Sequence, residues 1–350
     1  MLKKKRLGIC MLGVTPLHEI LNVARVSEEV GIDSFWLAEG YHFFRDLGEP
    51  KSTTSIAAAI AMQSERITIG LGIVPPYTRH PSVLAMEAQT LYDLSDGRFV
   101  LGLGAAKAAA LHIGYQEKNL RAVKTHREAI DLIREYLDGG VFCREGEVYS
   151  AAAPDRRRDL EKPAVPLAIG ATGPKMLQLG GEKADAVLLP TFTTPRFVEY
   201  AMGEIAKGAA RAGRSVDEVP VGATLPFSVA TDGAEARNAI RGLTAVYISN
   251  KVHNIRNDII LSCAELAEDE ALPIAKTLHD KGLDAAAKLV TDEILDKLVI
   301  AGNPDEVTKK LLALAECGLR LPLLYQVLGP ERETAVRLIA DQVKPVFDEQ

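Results

Sequence analysis

Short apolar runs alternate with amphipathic stretches along almost the whole of the 350-residue chain. Eight runs, rich in β-branched residues, read as buried strands: Leu7 to Leu12, Asp33 to Glu39, Ile67 to Val74, Phe99 to Leu103, Val165 to Gly170, Ala184 to Pro190, Val221 to Ala230 and Leu321 to Leu328. The segments between them carry helical spacing. Leu84, Ala88 and Leu91 fall at i, i+4 and i+7 behind Pro81, which suits the first position of a helix. Thr15-Pro16, Pro174, Pro195 and Pro304 open further helices. Strands separated by helices predict a parallel sheet, and eight such units predict a closed (β/α)8 barrel. A doubly wound open sheet is the alternative. No GxGxxG follows the first strand, which counts against a dinucleotide-binding version of it.

Two segments break the rhythm. Val141 to Pro163 reads as a hairpin-like excursion followed by a loop, where Arg156, Arg157 and Arg158 lie between Asp155 and Asp159 as a solvated charge run. Residues 234–298 are helical throughout, longer than one crossover needs, and form an insertion after the seventh strand that could shape a substrate wall. One barrel domain over residues 1–350 accommodates both. A barrel keeps its active site at the strand C-termini. That rule selects the Gly13–Thr15, Glu39–Arg45, Val74–His80, Gly104–Lys107, Ala171–Pro174, Thr191–Thr194 and Leu225–Ser228 regions.

Composition narrows the class. The chain is 47% hydrophobic and 25% charged, with a formal net charge of −6, as expected of a soluble globular protein with a large core. The mild acidity gives nucleic acid no basic patch. No apolar run reaches the ~18 residues that span a membrane. Lys3-Lys4-Lys5-Arg6 is not followed by the apolar stretch of a signal peptide. Cys10, Cys143, Cys263 and Cys317 are scattered, which implies free thiols in a reducing cytoplasm.

The strand ends offer little chemistry of their own. No HxH, HExxH or GxSxG occurs, and no metal site is expected. What they do offer is bare backbone. Gly70 and Gly72 interrupt the third strand, and the fourth ends Gly102-Leu103-Gly104-Ala105-Ala106. Such glycines mark either close packing of barrel layers or a floor for a flat ring. Gly170-Ala171-Thr172-Gly173-Pro174-Lys175 is a turn into a helix whose N–H groups could hold an anion, or an ordinary strand-to-helix turn. A barrel without metal, nucleophile or base pair suits a cofactor that brings its own chemistry. Among titratable groups, His42 and His80 stand at strand ends, and Arg79 could pair with an anionic group or with Glu39. Glu39 is then either a partly buried carboxylate with a raised pKa or a structural ion-pair partner.

Three stretches also carry a resemblance: WLAEGYHFF, PYTRHPSVLAMEAQTLYDLSDGRFVLGLG and IGATGPKMLQLGGEKADAVLLPT. They resemble the bacterial luciferase-like flavin-dependent oxidoreductases, and most of all the branch of methylenetetrahydromethanopterin reductase and other enzymes using coenzyme F420 (8-hydroxy-5-deazaflavin). The resemblance implies a (β/α)8 barrel, often a homodimer, with the ring across the C-terminal mouth. It places a non-prolyl cis peptide at Gly72-Ile73, the ring against Gly104 and Ala105, the phosphate near Gly170, Ala171, Thr172, Gly173 and Lys175, and the tail near Thr191 and Thr193. The implied activity is hydride transfer between coenzyme F420 and a small organic substrate, with Glu39, His42 or Lys107 as proton donor or polariser. An FMN-dependent monooxygenase and a non-catalytic flavin-binding barrel are the alternatives. The chain departs from those relatives at three points. Glu39-Gly40 stands where the sugar-phosphate dehydrogenases have an Asp-His pair. Lys107 stands where a carboxylate follows the fourth strand. Cys10 lies where a pterin reductase has a glutamate nearby.

Overall fold

The computed structural model describes residues 6–41, 47–139, 141–153, 165–252 and 258–349. His42, the Arg156–Arg158 run and its two aspartates lie outside those residues. Among the described residues eleven strands are formed: β1 (Gly8–Leu12), β2 (Ser34–Ala38), β3 (Thr68–Val74), β4 (Phe99–Gly104), β5 (Phe142–Glu145), β6 (Ser150–Ala153), β7 (Leu167–Gly170), β8 (Ala186–Leu189), β9 (Val221–Val229), β10 (Ile300–Gly302) and β11 (Leu319–Leu328). Eight of them pair in parallel in the order β1-β2-β3-β4-β7-β8-β9-β11, and β11 pairs back onto β1. This is a closed TIM barrel of the eight strands expected, with helices between them. The apolar runs become strands because both of their faces are covered, one by the lumen and one by the helices.

The helix starts follow local chemistry. Pro81, Pro174, Pro195 and Pro304 each sit in the first turn of a helix. Ser52 accepts a hydrogen bond from the Ser55 N–H, Thr194 from Phe197, and Asn303 from Glu306 in a capping box. The excursion after the Ala122–Asp138 helix is the antiparallel hairpin β5–β6. Glu128 holds it, accepting from the backbone N–H groups of Glu147, Val148 and Tyr149. The insertion after β9 comprises the helices Gly233–Lys251, Ile259–Cys263, Glu268–Lys281, Leu283–Ala287 and Asp292–Leu298. It ends in β10, which adds to β9 outside the ring. Among the described residues, no helix is long and apolar enough to cross a membrane.

Candidate active site

Register shows which side chains enter the barrel. Cys10 pairs with Trp36 and with Tyr325, Trp36 with Gly70, and Gly104 with Gly170. A Cβ built on Gly72 would lie 3.5 Å from the Leu188 side chain, which comes from β8 across the barrel. These positions therefore face the lumen. Trp36, the only tryptophan, is fully buried there, and its Nε1 donates to Ser34 Oγ at 2.9 Å. A Cβ on Gly70 would fall inside the Trp36 indole. For the lower part of β3, then, close packing explains the glycine.

Higher up, small residues line the strand ends and the Ile73 side chain covers them. The Gly72-Ile73 peptide is cis, and the pairing of β3 with β4 shifts register between Leu71 and Val74. Ile73, partly exposed, leans over the neighbouring strand ends. A Cβ on Gly104 would meet its Cγ1 at 2.5 Å, and one on Gly170 would meet its Cγ2 at 3.0 Å. Ala105 and Ala106 continue the rim half-buried, Ala106 in the left-handed region at φ 37°. Next to this rim the Ala171 N–H donates to the Leu188 carbonyl at 3.0 Å, and the turn through Thr172 and Gly173 enters the Pro174–Lys183 helix. Nothing lies within 4 Å of a Cβ built on Gly173. Thr172 is half-buried and Lys175 is exposed. The helix N-terminus is thus open to an approaching anion, with the Thr172 hydroxyl just before it and the Lys175 ammonium on its first turn. In the next loop Thr191 is half-buried, Phe192 adopts φ 66°, and Thr193 is buried with its Oγ1 donating to the Pro190 carbonyl at 2.7 Å.

Of the residues put forward for proton chemistry, Glu39 and Lys107 are each held by other side chains. Glu39, at the end of β2, accepts from Arg79 and from the Tyr41 hydroxyl. Arg79 also approaches Glu87 at 3.6 Å. Burial drives the Arg79 pKa down, but the charge and hydrogen bond of Glu39 outweigh it and leave the value raised. Burial pushes the Glu87 carboxyl up, against the pull of Arg79. The Tyr41 hydroxyl is raised by burial and then by the Glu39 charge. Lys107 opens the short Lys107–His112 helix, is exposed, and pairs with Glu117. His42 lies outside the described residues. His80 serves as helix cap, its Nδ1 accepting from the Ser82 N–H at 3.2 Å.

One polar feature of the lumen was not visible in the sequence. Tyr325 of β11 is buried beside Cys10, and its hydroxyl lies 2.7 Å from that of Tyr247 on the Gly233–Lys251 helix. Tyr247 also meets Phe192 edge-on, with centroids 6.2 Å apart. Burial holds both phenols well above their ordinary pKa, so they stay protonated. The pair comes from the β1–β11 side of the barrel, while the glycine rim is on β4 and β7. No period marks it: Tyr325 looks like one more apolar strand residue, and its partner is 78 positions away. Among the described residues no group of three or more His, Cys, Asp or Glu is placed to hold a metal ion.

Residues 6–321 match the model of the luciferase-like monooxygenase family, and the chain belongs to that family. Within it the similar proteins include coenzyme F420-dependent enzymes. The 5,10-methylenetetrahydromethanopterin reductase of Methanopyrus kandleri is 30% identical over 98% of both chains. The solved structure of the coenzyme F420-dependent tetrahydromethanopterin reductase of Methanopyrus kandleri superposes with a TM-score of 0.88 at 28% identity, covering 98% of this chain and 99% of that one. The F420-dependent glucose-6-phosphate dehydrogenase of Nakamurella multipartita is 24% identical over 93% of this chain and 91% of its own.

Proposed function

We propose that this chain is a coenzyme F420-dependent oxidoreductase that moves a hydride between the deazaflavin ring and a small organic substrate at the C-terminal mouth of the barrel. The full-length likeness to an F420-dependent reductase carries the reading, and the rim and turn described above fit the cofactor. Gly72, Ile73, Gly104 and Ala105 would back the ring. Gly170, Ala171, Thr172, Gly173 and Lys175 would hold its phosphate by backbone N–H groups, a hydroxyl and one positive charge. Thr191 and Thr193 would border the tail. When bound, the deazaflavin supplies the redox chemistry. The chain's part is to fix the ring, exclude water and place a proton source.

For the proton, Glu39, His42 and Lys107 stay as candidates of unequal standing. Glu39 would have to give up Arg79 and Tyr41, and Lys107 would have to leave Glu117. The Tyr247–Tyr325 pair is a fourth candidate, with one hydroxyl proton committed to the bond between the two phenols. A hydroxyl of the pair would polarise a substrate oxygen or nitrogen from the wall opposite the rim. A reduced carbon then receives hydride from one side and its heteroatom a hydrogen bond from the other.

The cradle is testable by itself. Lys175→Ala removes one charge-assisted contact and should weaken F420 binding about tenfold, leaving binding of the phosphate-free deazaflavin ring unchanged. Isothermal titration with both ligands measures it. An equal loss for both would remove the phosphate from that turn.

We also assign the chain to a homodimer. Met62 on the Thr53–Gln63 helix and Val83 and Met86 on the neighbouring Pro81–Leu94 helix are exposed, Met62 at 69% and Met86 at 65%. The Thr53–Gln63 helix is apolar on nearly all sides, as expected of a helix covered on both faces.

A further inference from the structure

Behind the rim lies a buried histidine that the mechanism does not use. His126, on the inner face of the Ala122–Asp138 helix, has no exposed surface. Its Nδ1 lies 2.7 Å from the Ala122 carbonyl of its own helix. A carbonyl only accepts, so the proton of the neutral ring belongs on Nδ1 and Nε2 presents a lone pair. That Nε2 is buried without a hydrogen-bond partner among the described residues. The nearby acceptor is the carbonyl of Gly104, the last residue of β4. One imidazole proton thus serves two carbonyls. Burial lowers the pKa, and the carbonyls of Ala122 and Gly104 pull against it.

An aromatic ring adjoins it. Tyr77, from the loop after β3, sets its ring edge-on to His126 with centroids 6.2 Å apart, and its hydroxyl turns to the Thr125 side chain of the same helix. Buried polar atoms are nearly always partnered, and the unpartnered Nε2 is an exception that asks for a role. The two rings stand behind adjoining parts of the rim. Tyr77 follows Val74, Pro75 and Pro76 at the end of β3. His126 faces the carbonyl that precedes Ala105 and the left-handed Ala106.

We propose that His126, backed by Tyr77, is a positioning residue for the cofactor ring: it sets the Gly104 carbonyl, and through it the Gly104–Ala106 rim on which the ring rests. The proposal rests on the F420 reading above. When the ring is seated, Nε2 carries the proton and donates to Gly104, and the Nδ1 contact to Ala122 loosens. Without the ring, Nδ1 keeps the proton. No atom of His126 touches the ligand, and no charge is created.

The test is equilibrium binding of F420 to the full-length protein, its His126→Leu and His126→Gln variants, and Tyr77→Phe, with a thermal melt of each. Glutamine keeps an N–H donor where leucine has none. His126→Leu should bind F420 about five- to tenfold more weakly, the scale of one hydrogen bond, and His126→Gln should recover most of that loss. In protein labelled with 15N-histidine, F420 should move the His126 Nε2 resonance from the unprotonated toward the protonated position. Tyr77→Phe, which keeps the ring, should weaken binding less than twofold without moving the melt. Equal losses in the leucine and glutamine variants in step with their melting temperatures, or an unmoved Nε2 resonance in a protein that does bind F420, would overturn the proposal. Wild-type protein that does not bind F420 would instead remove the reading on which it stands.

Discussion

Gly70 and Gly104 are both glycines at lumen positions, yet they answer to different neighbours. Gly70 leaves room for the indole of Trp36, and Gly104 leaves room for Ile73. The sequence offered two explanations for such residues, layer packing and a ring floor, and no spacing rule separates them. Which applies depends on a side chain from another strand. Gly70→Ala should therefore act on stability alone. A methyl inside the indole forces Trp36 from its place, at a cost of about 1–3 kcal/mol. It should also free Trp36 Nε1 from Ser34, which a shift in the emission of this single tryptophan would register. Unchanged melting and emission would show that the indole does not fill the lumen as described. Glu39 is a parallel case. Its pairing with Arg79 was one of two readings the sequence left open, and the closing of the barrel, which brings neighbouring strand ends together, realises it.

Elements were more legible than residues. Every barrel strand announced itself by an apolar run, because a strand covered on both faces has no polar side to show. Proline and cap residues marked the helix starts. What escaped notice was short. β10 has three residues, too few for any period, and it pairs only because β9 outlasts the ring on that side. The Lys107–His112 helix lies in an alanine-rich stretch without amphipathic contrast. Tyr247 and Tyr325 meet only because an inserted helix reaches the barrel mouth. Connections between elements can also rest on one side chain. Glu28, at the end of the Leu17–Glu29 helix, accepts from the backbone N–H groups of Glu65, Arg66 and Ile67 at 2.8–3.0 Å, fastening that helix to the turn before β3. Burial alone would raise its pKa, but the three N–H groups outweigh that and lower it. A depressed carboxylate pKa stabilises above the unfolded-state value and loses that contribution as pH falls through the folded value. Glu28→Gln should cost about 1–2 kcal/mol at neutral pH, and the gap to wild type should close below about pH 4. Denaturant melts at several pH values test this, and a gap independent of pH would show that the carboxylate charge is not what matters.

For the whole molecule, the barrel puts a rim of glycines and alanines overlaid by Ile73 on one side of its mouth and two phenols on the other, with an open helix N-terminus next to that rim. That arrangement is suited to binding a planar, phosphate-bearing cofactor and holding a substrate against it. It also leaves Met62, Val83 and Met86 uncovered on two adjacent helices. Light scattering on the wild-type chain should give twice the chain mass, and Met62→Asp with Met86→Asp should give a folded monomer. A wild-type monomer at micromolar concentration would refute the assignment. The most direct measurement is a titration of the purified protein with coenzyme F420 and, separately, with FMN, following the Trp36 emission and oxygen uptake. F420 should bind saturably, one per chain, quenching Trp36 beneath the rim, with FMN binding far more weakly and no oxygen consumed. Tight FMN binding with oxygen uptake, and no response to F420, would contradict the account.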